Sequence, residues 1–185
     1  MPIIVGGFLT ALAFTITGAL PALASNGVTQ NITAGVLSGS VGDLALSDVI
    51  YSNSAQTTTG SLLVSADDST GAALGWHVTL QASSFVYSGI HVGTAFPAAS
   101  LAITGVSAPI LVSGQAVNAT AATGPEVPPT SPVGTLDSAR SVISATAGYG
   151  TGSYTEALAV ALTIPAGSKI GTYAGTITTT ISIGA

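Results

Sequence analysis

The chain has no cysteine, one tryptophan, one methionine and only two basic residues among 185. Without cysteine no disulfide framework is available, so an exported chain of this kind must be held by burial alone. Two cations, Arg140 and Lys169, stand against seven carboxylates and leave a formal net charge of −5. That balance excludes nucleic acid as a partner, because a phosphate backbone demands clustered Lys and Arg. Recruitment to anionic lipid by a polybasic patch is disfavoured for the same reason. Two histidines and scattered acids also leave little from which to build a cleft of perturbed acids, bases and nucleophiles.

What is present is apolar and hydroxyl-rich. Ile3 to Leu20 forms an apolar stretch, followed by Pro21 and then Ala22-Leu23-Ala24. This fits the small-x-small rule for cleavage before Ser25, although a positive n-region is missing. Residues 1–24 are therefore expected to be a cleavable signal peptide, and residues 25–185 a secreted, extracellular mature part. A retained membrane helix is the competing reading, since the stretch is about as long as a minimal bilayer span; Thr10, Thr15 and the glycines weaken it. No other segment has 18 unbroken apolar residues, so no stable membrane span is expected after cleavage.

The mature part reads as short strands between turn clusters, and about 160 residues suffice for one domain with one core. Strands are expected at 44–51, 61–65, 76–82, 100–104, 110–112, 155–164 and 176–183, several with period-2 alternation. In 76–82, Trp76, Val78, Leu80 and Ala82 share one face, with His77, Thr79 and Gln81 on the other. In 155–164, Leu158, Val160 and Leu162 oppose Ala157, Ala159 and Ala161. A helix over 154–161 competes on Glu and Ala content, but it has no cap and Pro165 cuts it short. In 176–183, Ile177, Ile181 and Ile183 share a face interrupted by Thr179. Asp67 to Gly71 and Ile164 to Ser168 are expected turns. The segment 124–132 holds four prolines, cannot pair centrally in a sheet and is expected to be a surface loop. Short strands and many turns imply an all-β antiparallel sandwich or barrel, and the expected form is a β-sandwich of Ig-like, Greek-key type.

Two stretches carry a family pattern. Gly75-Trp76-His77-Val78-Thr79-Leu80-Gln81-Ala82, preceded by Asp67 to Gly71 and followed by Ser83-Ser84-Phe85, resembles the first half of the WxL domain of Gram-positive surface proteins. Ile164-Pro165-Ala166-Gly167 through Gly171-Thr172-Tyr173-Ala174-Gly175-Thr176-Ile177-Thr178 resembles its C-terminal half. The first motif here is Trp-His-Val instead of Trp-x-Leu; at the second, Thr179 stands at the Trp position and Ile181 at the Leu position. The resemblance implies a surface protein that attaches non-covalently to peptidoglycan, with wall polymer or surface proteins as partners.

Trp76 is a candidate ligand-binding platform, because aromatic faces stack on sugars, but its apolar neighbours at i+2 and i+4 read first as core. His77 and His91 lack an evident triad setting, and no Gly-x-Ser-x-Gly elbow occurs. Asp67 and Asp68 lack the alternating carboxylates of a calcium loop. Glu126 and Glu156 are too distant in sequence to argue a catalytic pair. Asn31 and Asn118 begin glycosylation sequons. No catalytic residue, metal site or cofactor is expected.

The expectation is a non-catalytic cell-surface protein of adhesive type. The alternative is a self-assembling extracellular fibre or surface-layer subunit, a homopolymer in which the Gly- and Val-containing segment Ser25 to Leu46 is donated to a neighbour's sheet edge. Its basis is the weakly charged surface, since soluble β-proteins commonly guard their edges with charge.

Overall fold

A computed structural model of the protein describes residues 29–117, 124–130 and 132–184. The leader 1–24 and the Asn118 sequon lie outside the described residues. The chain divides after Ile32, and residues from Thr33 onward form one compact unit. That unit is all-β and antiparallel, and its only described helical turn is a 3-10 turn at Ala98–Ser100. Among the described residues no helix is long and apolar enough to cross a membrane.

Eleven strands are described: β1 (Leu37–Val41), β2 (Gln56–Asp68), β3 (Trp76–Ala82), β4 (Val86–Ser88), β5 (Leu101–Val106), β6 (Ile110–Gly114), β7 (Gly134–Thr135), β8 (Arg140–Ala145), β9 (Gly152–Ile164), β10 (Thr172–Ala174) and β11 (Ile177–Ile183). The larger sheet runs β1-β2-β9-β5-β7, with β6 paired to β9 beside β5. The smaller sheet runs β11-β3-β8, and β4 pairs with β10 as a separate two-stranded arm.

The inward faces of the two sheets share one sandwich-like core. Leu62, Val64 and Ala66 of β2, Leu101 and Ile103 of β5, and Leu158 and Val160 of β9 supply one side; Trp76, Val78, Leu80 and Ile143 supply the other. Period-2 alternation is the reason: β3 buries Trp76, Val78, Leu80 and Ala82 and turns His77, Thr79 and Gln81 outward. In β9, Leu158, Val160 and Leu162 are buried while Ala159 is exposed. No helix forms over 154–161, because this hydrophobic spacing buries one face only in the extended state.

Leu136 ties the sheets together. Its N–H donates to Leu101 O at 2.9 Å, and its carbonyl accepts from Ala82 N–H at 2.8 Å. Arg140 secures the same corner through donation to Thr135 O and, at 3.0 Å, to Val133 O.

Several expectations are corrected. Residues 44–51 are not a strand. Leu44 and Leu46 do pack on the core, but the segment passes over Gly60 of β2, where an added Cβ would meet Leu44, Leu46 and the Ala45 carbonyl, and does not join the ladder. Asp67 and Asp68 end β2, which is thirteen residues long; the turn begins at Ser69. β1, β4, β7, β8 and β10 lie outside the expected strands. β8 escapes a period-2 search because Val142 and Ile143 are both buried, at a register shift against β3. The proline-rich segment is not wholly a surface loop: Gly124, Pro125 and Pro128 are buried, and Glu126 exchanges two backbone hydrogen bonds with Ser144 on the outer edge of β8. Ile177 and Ile181 are half-buried on their shared face of β11, and Ile183, at the end of that strand, is exposed.

Candidate functional site

Trp76, a candidate ligand platform that reads first as core, is fully buried. Its Nε1 donates to Gly150 O at 2.9 Å, and its ring lies 6.1 Å from that of Tyr154. Gly150 approaches this closely because it has no Cβ; an added one would lie 2.4 Å from Ala145 Cβ and 2.9 Å from Trp76 Nε1. A ring so enclosed is a core anchor with no face for a sugar, which corrects the binding assignment.

The other candidates are dispersed. His77 Nδ1 lies 2.6 Å from Gly184 O, and an accept-only carbonyl calls for the Nδ1–H tautomer. His91 is exposed in the loop after β4. Asp67 accepts from Ser153 Oγ. Asp68 is buried and accepts from Thr70 N–H at 3.1 Å and Thr70 Oγ1 at 2.6 Å, closing the turn that follows β2. Among the described residues there is no group of three His, Cys, Asp or Glu placed to hold a metal ion.

Glu156 is the unexpected residue. It lies on the inward face of the central strand β9, opposite Val64 of β2, with 1% of its surface exposed. Neither carboxylate oxygen has a hydrogen-bond partner. Desolvation pushes its pKa from the ordinary 4.5 up to about 8. Tyr154, two residues earlier, has its pKa raised by burial first and by the Asp68 charge second. Its hydroxyl donates towards Gln115 O at 2.7 Å and Thr151 O at 3.2 Å.

The concave surface lies elsewhere. Two clefts of about 640 and 670 Å³ share Leu46, Leu162 and Tyr173 as lining. The first runs between the 46–52 crossing and the 164–173 segment, and Gly167 N–H to Ser52 O at 3.1 Å joins the two walls. The expected turn at 164–168 forms here: Ser168 N–H donates to Pro165 O at 3.3 Å, and Gly167 takes the positive φ of 68° that a type II turn requires. Tyr51, Ser47, Ser52, Ser168, Thr172 and Tyr173 line this cleft, and its charges are Asp48 and Lys169. Neither histidine lines either cleft.

The two-stranded arm holds the rings in place. Tyr173 of β10 pairs with Tyr87 of β4, their centroids 5.1 Å apart, and Phe96 stacks on Tyr173 at 3.9 Å and 11°. Tyr173 OH donates to Lys169 O at 3.1 Å and Tyr87 OH to Ile170 O at 2.9 Å, fixing the loop that carries the cleft's only cation. Sequence reasoning did not find this site, whose parts come from separated segments. Its one sequence signal is the Gly171-Thr172-Tyr173 run.

No family model, no characterised protein and no solved structure matches this chain.

Proposed function

We propose that the protein is a non-catalytic, secreted cell-surface protein that attaches non-covalently to the wall polymer peptidoglycan, as its resemblance to WxL domains implies. In this reading the domain is an Ig-like, Greek-key sandwich, and residues 1–24 are a cleaved signal peptide. The observation that carries the reading is the first cleft, where half-exposed Tyr51 and ring-stacked Tyr173 stand among serine and threonine hydroxyls. Aromatic faces with hydroxyl neighbours hold sugar rings by stacking and hydrogen bonding. The pairing of β3 with β11 adds support. It sets Val78 beside Ile181 and Leu80 beside Thr179, so the two stretches that carry the resemblance are adjacent.

The test is co-sedimentation of residues 25–185 with purified Gram-positive sacculi. Wild-type protein is expected in the pellet, and Tyr51→Ala is expected to weaken binding about fivefold, the loss of about 1 kcal/mol of ring stacking, at unchanged Tm. No pelleting above an unrelated acidic control overturns the reading.

A second reading, a self-assembling extracellular fibre or surface-layer subunit using strand donation, is favoured by β6, a strand whose five residues are all exposed and uncharged.

A further inference from the structure

We infer that the outer edge of β6 accepts Thr29–Ala34 of a second copy of this chain as an added strand, in a head-to-tail contact that does not close on itself. This deepens the second reading above and is independent of wall binding.

The acceptor is an edge strand of unusual composition. β6 pairs with β9 on one side, and among the described residues no strand pairs with its other side. Ile110, Leu111 and Val112 are 64%, 38% and 63% exposed. No residue between Asp68 and Glu126 carries a formal charge, so β6 lacks the Lys, the inward charge and the in-strand proline that blunt natural edges.

The donor is on the same chain. Gly35 and Val36 are bonded to Ser69, whereas Thr29–Ala34 forms no strand and is exposed throughout. Its sequence alternates in the strand period, with Gln30, Ile32 and Ala34 on one face and Thr29, Asn31 and Thr33 on the other. Ile32 is 90% exposed, an apolar β-branched side chain without cover. Six extended residues span about 20 Å, against about 17 Å for the five of β6.

Geometry selects a second copy over the chain's own edge. Leu37 pairs with Asp68, Asp68 with Gly152 and Gly152 with Gly114, so the root of the donor and the end of β6 lie in one row across the sheet. They stand three strand spacings apart, about 14 Å. Six residues cannot both recross β2 and β9 and pair along β6. Because the donor and acceptor are different surfaces, the contact is heterologous and propagates. The recognition is β-augmentation: backbone bonds supply affinity, and Ile32 against the β6 side chains supplies register.

The test uses the mature chain, whose lack of cysteine makes introduced thiols unique. The double variant Ile32→Cys/Val112→Cys is treated at high concentration with a short bis-maleimide, which tolerates a one-residue slip in register. The expected result is a ladder of dimers, trimers and longer species, and Val112→Lys in unmodified protein is expected to lower the sedimentation coefficient of concentrated samples to that of the monomer. Cross-linked monomer alone, or dimer without a ladder, overturns the inference. If the double variant does not fold, equal sedimentation of Val112→Lys and wild type overturns it too. Failure to pellet with sacculi leaves these readouts untouched, so the two proposals fail separately.

Discussion

Glu156 makes stability fall as pH rises. The folded protein holds its proton up to about pH 8, whereas the unfolded chain releases it near 4.5. Between those values the unfolded state binds fewer protons than the folded one, so each pH unit removes up to about 1.4 kcal/mol of unfolding free energy. The dependence is absent well below pH 4.5 and levels off above 8. Integrated from pH 5 to pH 8, the loss is about 3–4 kcal/mol, a large share of the ~5–15 kcal/mol that holds a typical domain together. The cause is geometric: both carboxylate oxygens sit on the inward face of the central strand with no donor in reach. Urea unfolding at pH 5, 6, 7 and 8 gives the slope. Glu156→Gln is expected to flatten it by that amount, isolating this group from the general repulsion of an acidic chain. Glu156→Leu, which removes the orphaned oxygens, is expected to exceed wild-type stability at pH 8. Equal slopes in wild type and Glu156→Gln would refute the reasoning.

Other perturbations test the packing. Thr179→Val is expected to raise stability by about 1 kcal/mol in chemical denaturation, because the Thr179 hydroxyl is buried without a partner and valine keeps its shape; a loss of stability contradicts this. Gly150→Ala should cost more than about 2 kcal/mol, since the new methyl meets Ala145 and the Trp76 indole at a φ of +76°, with a red-shifted tryptophan emission as a second readout. Tyr173→Ala removes the ring that Phe96 stacks on and the donor to Lys169 O. It is expected to weaken sacculus binding at least as much as Tyr51→Ala and, unlike it, to lower Tm.

The strand type and most long strands were legible because β3 and β9 alternate over seven and thirteen residues, and period-2 patterns are hard to satisfy otherwise. The same criterion failed at 44–51, where Leu44 and Leu46 alternate correctly yet only cover a face. Alternation reports which side chains are buried and says nothing about whether the backbone joins a ladder. It failed again at β8, where a register shift puts two consecutive residues inward. The clefts were illegible for a different reason: Tyr51, Phe96 and Tyr173 come together only once β4 and β10 pair. Glu156 was visible as a lone acid in an apolar run, and the parity that puts it with Leu158 and Val160 pointed to the core. Considered only with Glu126 as half of a catalytic pair, it was set aside on sequence distance.

The ladder between β2 and β9 has a consequence for how the chain comes into being. Gln56 waits for Ile164, and Asp68 for Gly152, so the middle of the larger sheet cannot zip until about a hundred further residues have been synthesised after β2. β3 likewise waits for β8 and, on its other side, for β11. Closing such long loops is slow. Until it happens, a thirteen-residue ribbon of threonine, leucine and valine has its major partner missing. A nascent chain of this design should stay unfolded until β9 and β11 have been made, and removing β11 should produce inclusion bodies in preference to a smaller domain.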